Sequence, residues 1–125
     1  INFGSAFLDS AVRAGNEANR KKLTALLEEK GLKASDSLAK PIVEEFRKNN
    51  PSLFADVEKV ADHIDHVVKL AGIDHVGIGS DYDGVGDSLP TGLKDVSQYP
   101  NLIYVLLKRG YTESDIEKIC YKNVW

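Results

Sequence analysis

A short apolar run carrying glycines, His75-Val76-Gly77-Ile78-Gly79-Ser80, stops abruptly at Asp81-Tyr82-Asp83-Gly84. Its length and character predict a buried strand over residues 75–80, and the carboxylates with their glycine predict a turn at its end. Side chains alternate along a strand. His75, Gly77, Gly79 and Asp81 are therefore expected on one face, with Val76, Ile78 and Ser80 on the other. The two glycines empty the first face just below the acid, leaving room for a substrate or a metal. Asp81 is the first candidate for chemistry.

The remaining composition is that of an ordinary soluble globular chain, with 42% hydrophobic and 28% charged residues among 125, enough for a single core. A net charge of −3 gives no ground for a nucleic-acid partner or an anionic membrane surface. A lone cysteine, Cys120, excludes an internal disulfide and a multi-cysteine zinc site, and suits a reducing compartment without fixing one. No run approaches the roughly 18 apolar residues of a membrane span, and no leader or membrane attachment is visible. The chain opens on Ile1-Asn2-Phe3-Gly4, as though inside a strand, holds no methionine, and closes on Asn123-Val124-Trp125. It reads as a piece of a longer protein, so the compartment stays open.

Residues 1–8 are expected to form a buried strand. Helical patterning follows over residues 11–33, with Leu23, Leu26 and Leu27 on one stripe and Gly31 as the stop. A second helix is expected over 37–48, with Pro41 near its first turn. Residues 13–48 hold nine of the sixteen basic residues but also six acids, the mark of a solvated helical excursion over 11–51 rather than an anion-binding patch. From residue 52 to 70, Val57, Val60, Ala61, Ile64, Val67, Val68 and Ala71 repeat at helical spacing until Gly72. After the strand, a glycine- and proline-rich loop leads to Pro100, which opens a helix carrying Leu102, Ile103, Val105, Leu106 and Leu107 to Gly110. Thr112 with Asp115 then predicts a capping box for a last helix buried through Ile116, Ile119 and Cys120. Helix, turn, strand, acid and loop make one unit of an α/β fold, and two strands alone make a poor sheet. The grammar is that of a (β/α)₈ barrel or an open α/β sheet, with the remaining strands upstream.

Ligands in such folds collect at the C-terminal ends of strands. A carboxylate there can act as general base, metal ligand or orienting acceptor. The plainer reading of Asp81 is a turn cap, and Asp83 is more readily a turn residue. An EF-hand calcium loop fails on its ligands: a glycine already falls fourth, Val85 stands fifth where an oxygen donor is needed, and Gly92 stands twelfth where a glutamate is needed. In Asp62-His63-Ile64-Asp65-His66, two histidines three apart could bind a metal. A helical wheel instead places Asp62 and His66 opposite the buried stripe, with His63 and Asp65 flanking it, so surface or helix-contact histidines are expected. His75 belongs to the entry end of its strand, and Cys120 to the core.

Three segments together resemble the C-terminal part of the membrane (renal-type) dipeptidases, peptidase family M19. They are Val60-Ala61-Asp62-His63-Ile64-Asp65-His66, then Ala71-Gly72-Ile73-Asp74-His75-Val76-Gly77-Ile78-Gly79-Ser80-Asp81-Tyr82-Asp83-Gly84, then Gly92-Leu93-Lys94-Asp95-Val96-Ser97 running on to Tyr99-Pro100. Ile1-Asn2-Phe3 also resembles that family's seventh strand, whereas residues 11–51 are only loosely similar. The resemblance implies the C-terminal part of an amidohydrolase-type (β/α)₈ TIM barrel, with residues 1–7 as the seventh strand and 75–80 as the eighth. It implies a two-zinc hydrolase of dipeptides, often those with a D-residue second, whose zinc ligands lie on earlier strands outside this chain. Asp81 matches the family's catalytic aspartate, implied to take a proton from the metal-bridging water and pass it to the leaving amine. His63 and His66 match no zinc ligand. A homodimer follows only by family analogy.

The expected function is therefore a zinc-dependent dipeptidase of which this chain is an inactive portion. The alternatives are a non-catalytic binding or scaffold domain on the same frame, and another amidohydrolase-like hydrolase such as a lactonase or deaminase.

Overall fold

The computed structural model describes residues 1–125. Helices dominate, and no β-strand is formed. In chain order they are α1 (Ser5–Leu8), α2 (Ser10–Glu29), α3 (Lys40–Asn49), α4 (Val57–Ala71), α5 (Tyr99–Lys108) and α6 (Glu113–Glu117). Short 3₁₀ turns occupy Ser37–Ala39, Ile73–His75 and Val96–Gln98, and a π-helical turn spans Lys118–Lys122. The chain divides into two compact units, Ala11–Leu53 and the combination of Ile1–Ser10 with Phe54–Trp125. No helix is long and apolar enough to cross a membrane.

Within Ala11–Leu53, α2 stops where Gly31 takes φ +66°. Leu32 N–H bonds Leu27 O and Gly31 N–H bonds Glu28 O, both at 2.9 Å, the two bonds of a Schellman cap. Pro41 sits in the first turn of α3, where its missing N–H costs nothing. The Asn16 amide closes the unit by donating to Leu53 O and accepting from Leu53 N–H, each at 2.8 Å.

The larger unit is built on α4 and α5. Asp56 caps α4 by accepting Lys59 N–H at 2.9 Å, and Gly72, at φ +94°, ends it. Val60 and Ile64 of α4 meet Leu102 and Leu106 of α5 in a core that also takes in Phe3, Val76, Leu93 and Ile119. Each fully buried aliphatic side chain contributes roughly 1.5–3 kcal/mol. The predicted α4 stripe holds from Val57 to Val68 but not at Ala71, which is exposed in the last turn. α5 ends in a second Schellman cap: Tyr111 N–H bonds Leu106 O at 3.1 Å and Gly110 N–H bonds Leu107 O at 3.0 Å. The capping box at Thr112 and Asp115 is formed in both directions. Donation from the Thr112 hydroxyl and N–H holds the Asp115 carboxyl below its ordinary range.

Three expectations need correction. Residues 1–8 do not form a strand, because the chain turns into α1 at Ser5, where Leu8 N–H bonds Gly4 O. Residues 75–80 do not form one either: His75 closes the 3₁₀ turn and lies exposed, and Val76 then extends at φ −123°, ψ 140°. What remains of the anticipated sheet is one register. Ile1 N donates to Gly77 O at 2.6 Å, and Gly79 N–H donates to Ile1 O at 2.9 Å. A residue bonded to both neighbours of its opposite number is the pattern of a parallel pair, here Ile1 beside Ile78. Two bonds are too few for a ladder, and the isolated parallel bridge between Asp56 and Thr91 is equally short. The expected α/β barrel is therefore not formed by these residues alone. Third, Cys120 is exposed instead of buried. The π turn opens wider than an α turn, which keeps Ile119 in the core while carrying Cys120 out of the stripe that begins at Ile116.

One arginine ties α4 to the end of α5. Glu58, Asp62 and Asp65 line one side of α4 at helical spacing, and Arg109, the C-cap of α5, reaches all three at 2.6, 2.8 and 2.6 Å. Tyr111 hydroxyl donates to the second oxygen of Asp65 at 2.7 Å. Partial burial works against the guanidinium charge, but the three carboxylates outweigh it and push the Arg109 pKa above its ordinary value. Replacing Arg109 by Ala leaves three carboxylates facing one another. It should cost about 1–3 kcal/mol in urea unfolding. Arg109→Lys should recover less than half of that, since an ammonium cannot reproduce the planar fork.

Candidate functional site

The parallel pair brings the first residues of the chain against the segment leading to Asp81. Asn2 Nδ2 donates to Asp81 Oδ2 at 3.1 Å, and Asn2 Oδ1 accepts Gly4 N–H at 2.7 Å. Farther along, Ser5 N–H bonds Ser88 O at 2.9 Å, so the loop after Asp81 is held to the same strand of chain at both its ends. Asp81 itself is exposed and has φ +57°, the only non-glycine residue with a positive φ. Aspartate and asparagine tolerate this left-handed backbone better than other side-chain-bearing residues, and it turns the chain sharply at the carboxylate. Strain of this kind concentrates at functional positions.

Tyr82 anchors the next step inward. Its ring packs edge-on to Phe3 at 5.8 Å and to Tyr99 at 5.7 Å between centroids. Its hydroxyl is buried with no hydrogen-bond partner. Burial, reinforced by Tyr99 and Asp95, pushes its pKa up to about 12. Tyr82 therefore stays neutral at physiological pH and serves as a hydrophobic plug beneath Asp81. Asp83 lies exposed in the bend that follows, beside Gly84 at φ +83°.

The space expected from the two glycines is only half there. A Cβ on Gly77 would lie 3.2 Å from Val124 Cγ2, because the residues after the π turn pack on that side. Asn123 fixes them there, its amide donating to Ile73 O at 2.6 Å and Val76 O at 2.8 Å. A Cβ on Gly79 would meet nothing closer than Ile1 O at 3.8 Å. The clearance under Asp81 thus belongs to Gly79, whereas Gly77 is needed for packing.

The second cluster resolves into structural contacts. His63 Nε2 lies 2.7 Å from Leu8 O, tying α4 to α1. Asp62 and Asp65 are taken by Arg109, and His66 is exposed. No three His, Cys, Asp or Glu side chains converge where they could hold a metal ion. A separate cavity of about 190 Å³ within Ala11–Leu53 is lined by Asn19, Arg20, Leu23, Phe46 and Arg47 among others, and holds none of the candidate residues. Sequence reasoning missed Asn2. The signal was present, since a polar amide interrupts the apolar Ile1-Asn2-Phe3 on the segment expected to lie beside the eighth strand.

Comparison with known proteins gives the family. The model of the family described as Membrane dipeptidase (Peptidase family M19) matches residues 1–125. Dipeptidase tcpJ of Claviceps purpurea (strain 20.1) is 47% identical over 70 residues, which cover 56% of this chain and 16% of that protein. Among solved structures, the crystal structure of the probable dipeptidase PvdM from Pseudomonas aeruginosa superposes with a TM-score of 0.57 at 29% identity, covering 86% of this chain and 31% of that one. The chain spans less than a third of the length of either.

The backbone at Asp81 makes a prediction independent of activity. Asp81→Asn should leave stability unchanged. Asp81→Ala should lose about 1 kcal/mol in urea unfolding, because alanine resists the left-handed conformation.

Proposed function

Because the chain belongs to the membrane dipeptidase family, peptidase family M19, we propose that it is the C-terminal part of a zinc-dependent dipeptidase in which Asp81 handles the proton. The observation that carries this reading is the exposed Asp81 carboxylate, set on a left-handed backbone at the end of a segment paired in parallel with Ile1. On this reading, residues 1–3 and 76–80 are the last two strands of a (β/α)₈ barrel, and the remaining strands come from sequence outside these 125 residues. Catalytic groups in such a barrel stand at the C-terminal ends of strands, the position of Asp81 after Ser80.

The residues of this chain do not fit a zinc centre. His63 is committed to Leu8, Asp62 and Asp65 are committed to Arg109, and no other cluster forms. Zinc dependence, as proposed, places every ligand elsewhere in the protein. The task left to Asp81 is proton transfer. As the attacking water forms its bond to the scissile carbonyl carbon, the carboxylate accepts the water's proton. When the carbon–nitrogen bond breaks, Asp81 returns that proton to the leaving amine. Dipeptides, including those with a D-residue second, are the proposed substrates.

Asp81→Asn in the full-length enzyme is the decisive variant, since it keeps the backbone and removes the base. Turnover of a dipeptide should fall roughly 10²–10⁴-fold with zinc content unchanged. Near-parental turnover would leave a non-catalytic domain on the same frame as the better reading. The 125-residue chain alone should release no amino acid from any dipeptide.

A further inference from the structure

The Asp81 carboxylate is gripped by a side chain from the far end of the chain. Asn2 Nδ2 reaches Oδ2 at 3.1 Å across a sequence separation of 79 residues. The orientation of that amide is not free. Its oxygen already accepts Gly4 N–H at 2.7 Å, and a backbone N–H can be satisfied only by the oxygen, so the nitrogen must face Asp81. The backbone carrying Asn2 is fixed as well, by the bonds joining Ile1 to Gly77 and Gly79. A rigid donor thus meets a flexible acceptor.

Resting on the dipeptidase reading of Asp81, we propose that Asn2 is a positioning residue: it occupies Oδ2, holds the carboxylate in one rotamer, and leaves Oδ1 as the oxygen that exchanges the proton. Both side chains are exposed, so in water the bond contributes little to the stability of the fold. Its value is geometric. A general base must hold its oxygen within hydrogen-bond reach of the attacking water, and misplacement of catalytic groups by fractions of an ångström is costly in rate.

Two substitutions in the full-length enzyme separate positioning from structure. Asn2→Asp keeps the shape and the oxygen that accepts Gly4 N–H, but sets an anionic oxygen against Asp81 in place of a donor. Asn2→Ala loses both contacts. If Asn2 positions Asp81, Asn2→Asp should lower kcat about tenfold or more and at least as far as Asn2→Ala does. Its KM should stay within about twofold, with melting temperature and zinc content unchanged. A merely structural Asn2 gives the reverse order, with Asn2→Asp near parental and Asn2→Ala impaired through lost stability. That order, or a loss of zinc in Asn2→Asp that accounts for its kcat, overturns the proposal. Should Asp81→Asn itself retain turnover, the reading of Asp81 falls and this proposal with it. An inactive Asp81→Asn beside a fully active Asn2→Asp removes only the role given to Asn2.

Discussion

The parallel register between Ile1 and the Gly77–Gly79 backbone is the constraint on which the site depends. It consists of two hydrogen bonds closing a loop of more than seventy residues. A closure of that length is entropically unfavourable on its own, so the register survives only because side chains on the same segments are buried nearby. Phe3 is fully buried, and Val76 and Leu93 lie in the same core. Hydrophobic burial therefore fixes where the backbone lies, and the register converts that position into the approach of Asn2 to Asp81.

Helix α4 shows how one element serves two purposes with two faces. Val60, Ala61 and Ile64 bury against the core, and Glu58, Asp62 and Asp65 form the acidic line that Arg109 gathers. Arg109 can do this because Gly110 ends α5 immediately after it, placing the guanidinium at a helix terminus. Acid and base alike are used up in packing there, whereas Asp81 is met by the amide of Asn2 and not by a cation.

Much of this was legible in the sequence. The periodicity of Val60, Ala61 and Ile64, the glycines that end α2, α4 and α5, and the Thr112–Asp115 box are local signals, and local hydrogen-bonding rules decide them. The strands were not legible in the same way, because a strand is completed by its neighbours, and only the two bonds of Ile1 to Gly77 and Gly79 are made here. Ser5 illustrates the difference: without a continuing ladder, the chain satisfies its own N–H groups through α1. Cys120 was misplaced because a π turn is invisible to a count that assumes 3.6 residues per turn. For the site, motif position singled out Asp81, while its partner Asn2 is set by tertiary register alone.

The latch made by Asn123 has a consequence in time. Ile73 O and Val76 O, on the approach to Asp81, both depend on an amide that the ribosome adds some forty residues after Asp81. At ordinary rates of synthesis that interval is roughly 2–8 s. Throughout it, the segment leading to Asp81 has its bonds to Ile1 within reach but lacks the two from Asn123. The turn that carries Asn123 is the piece whose arrival completes the support of the segment before Asp81.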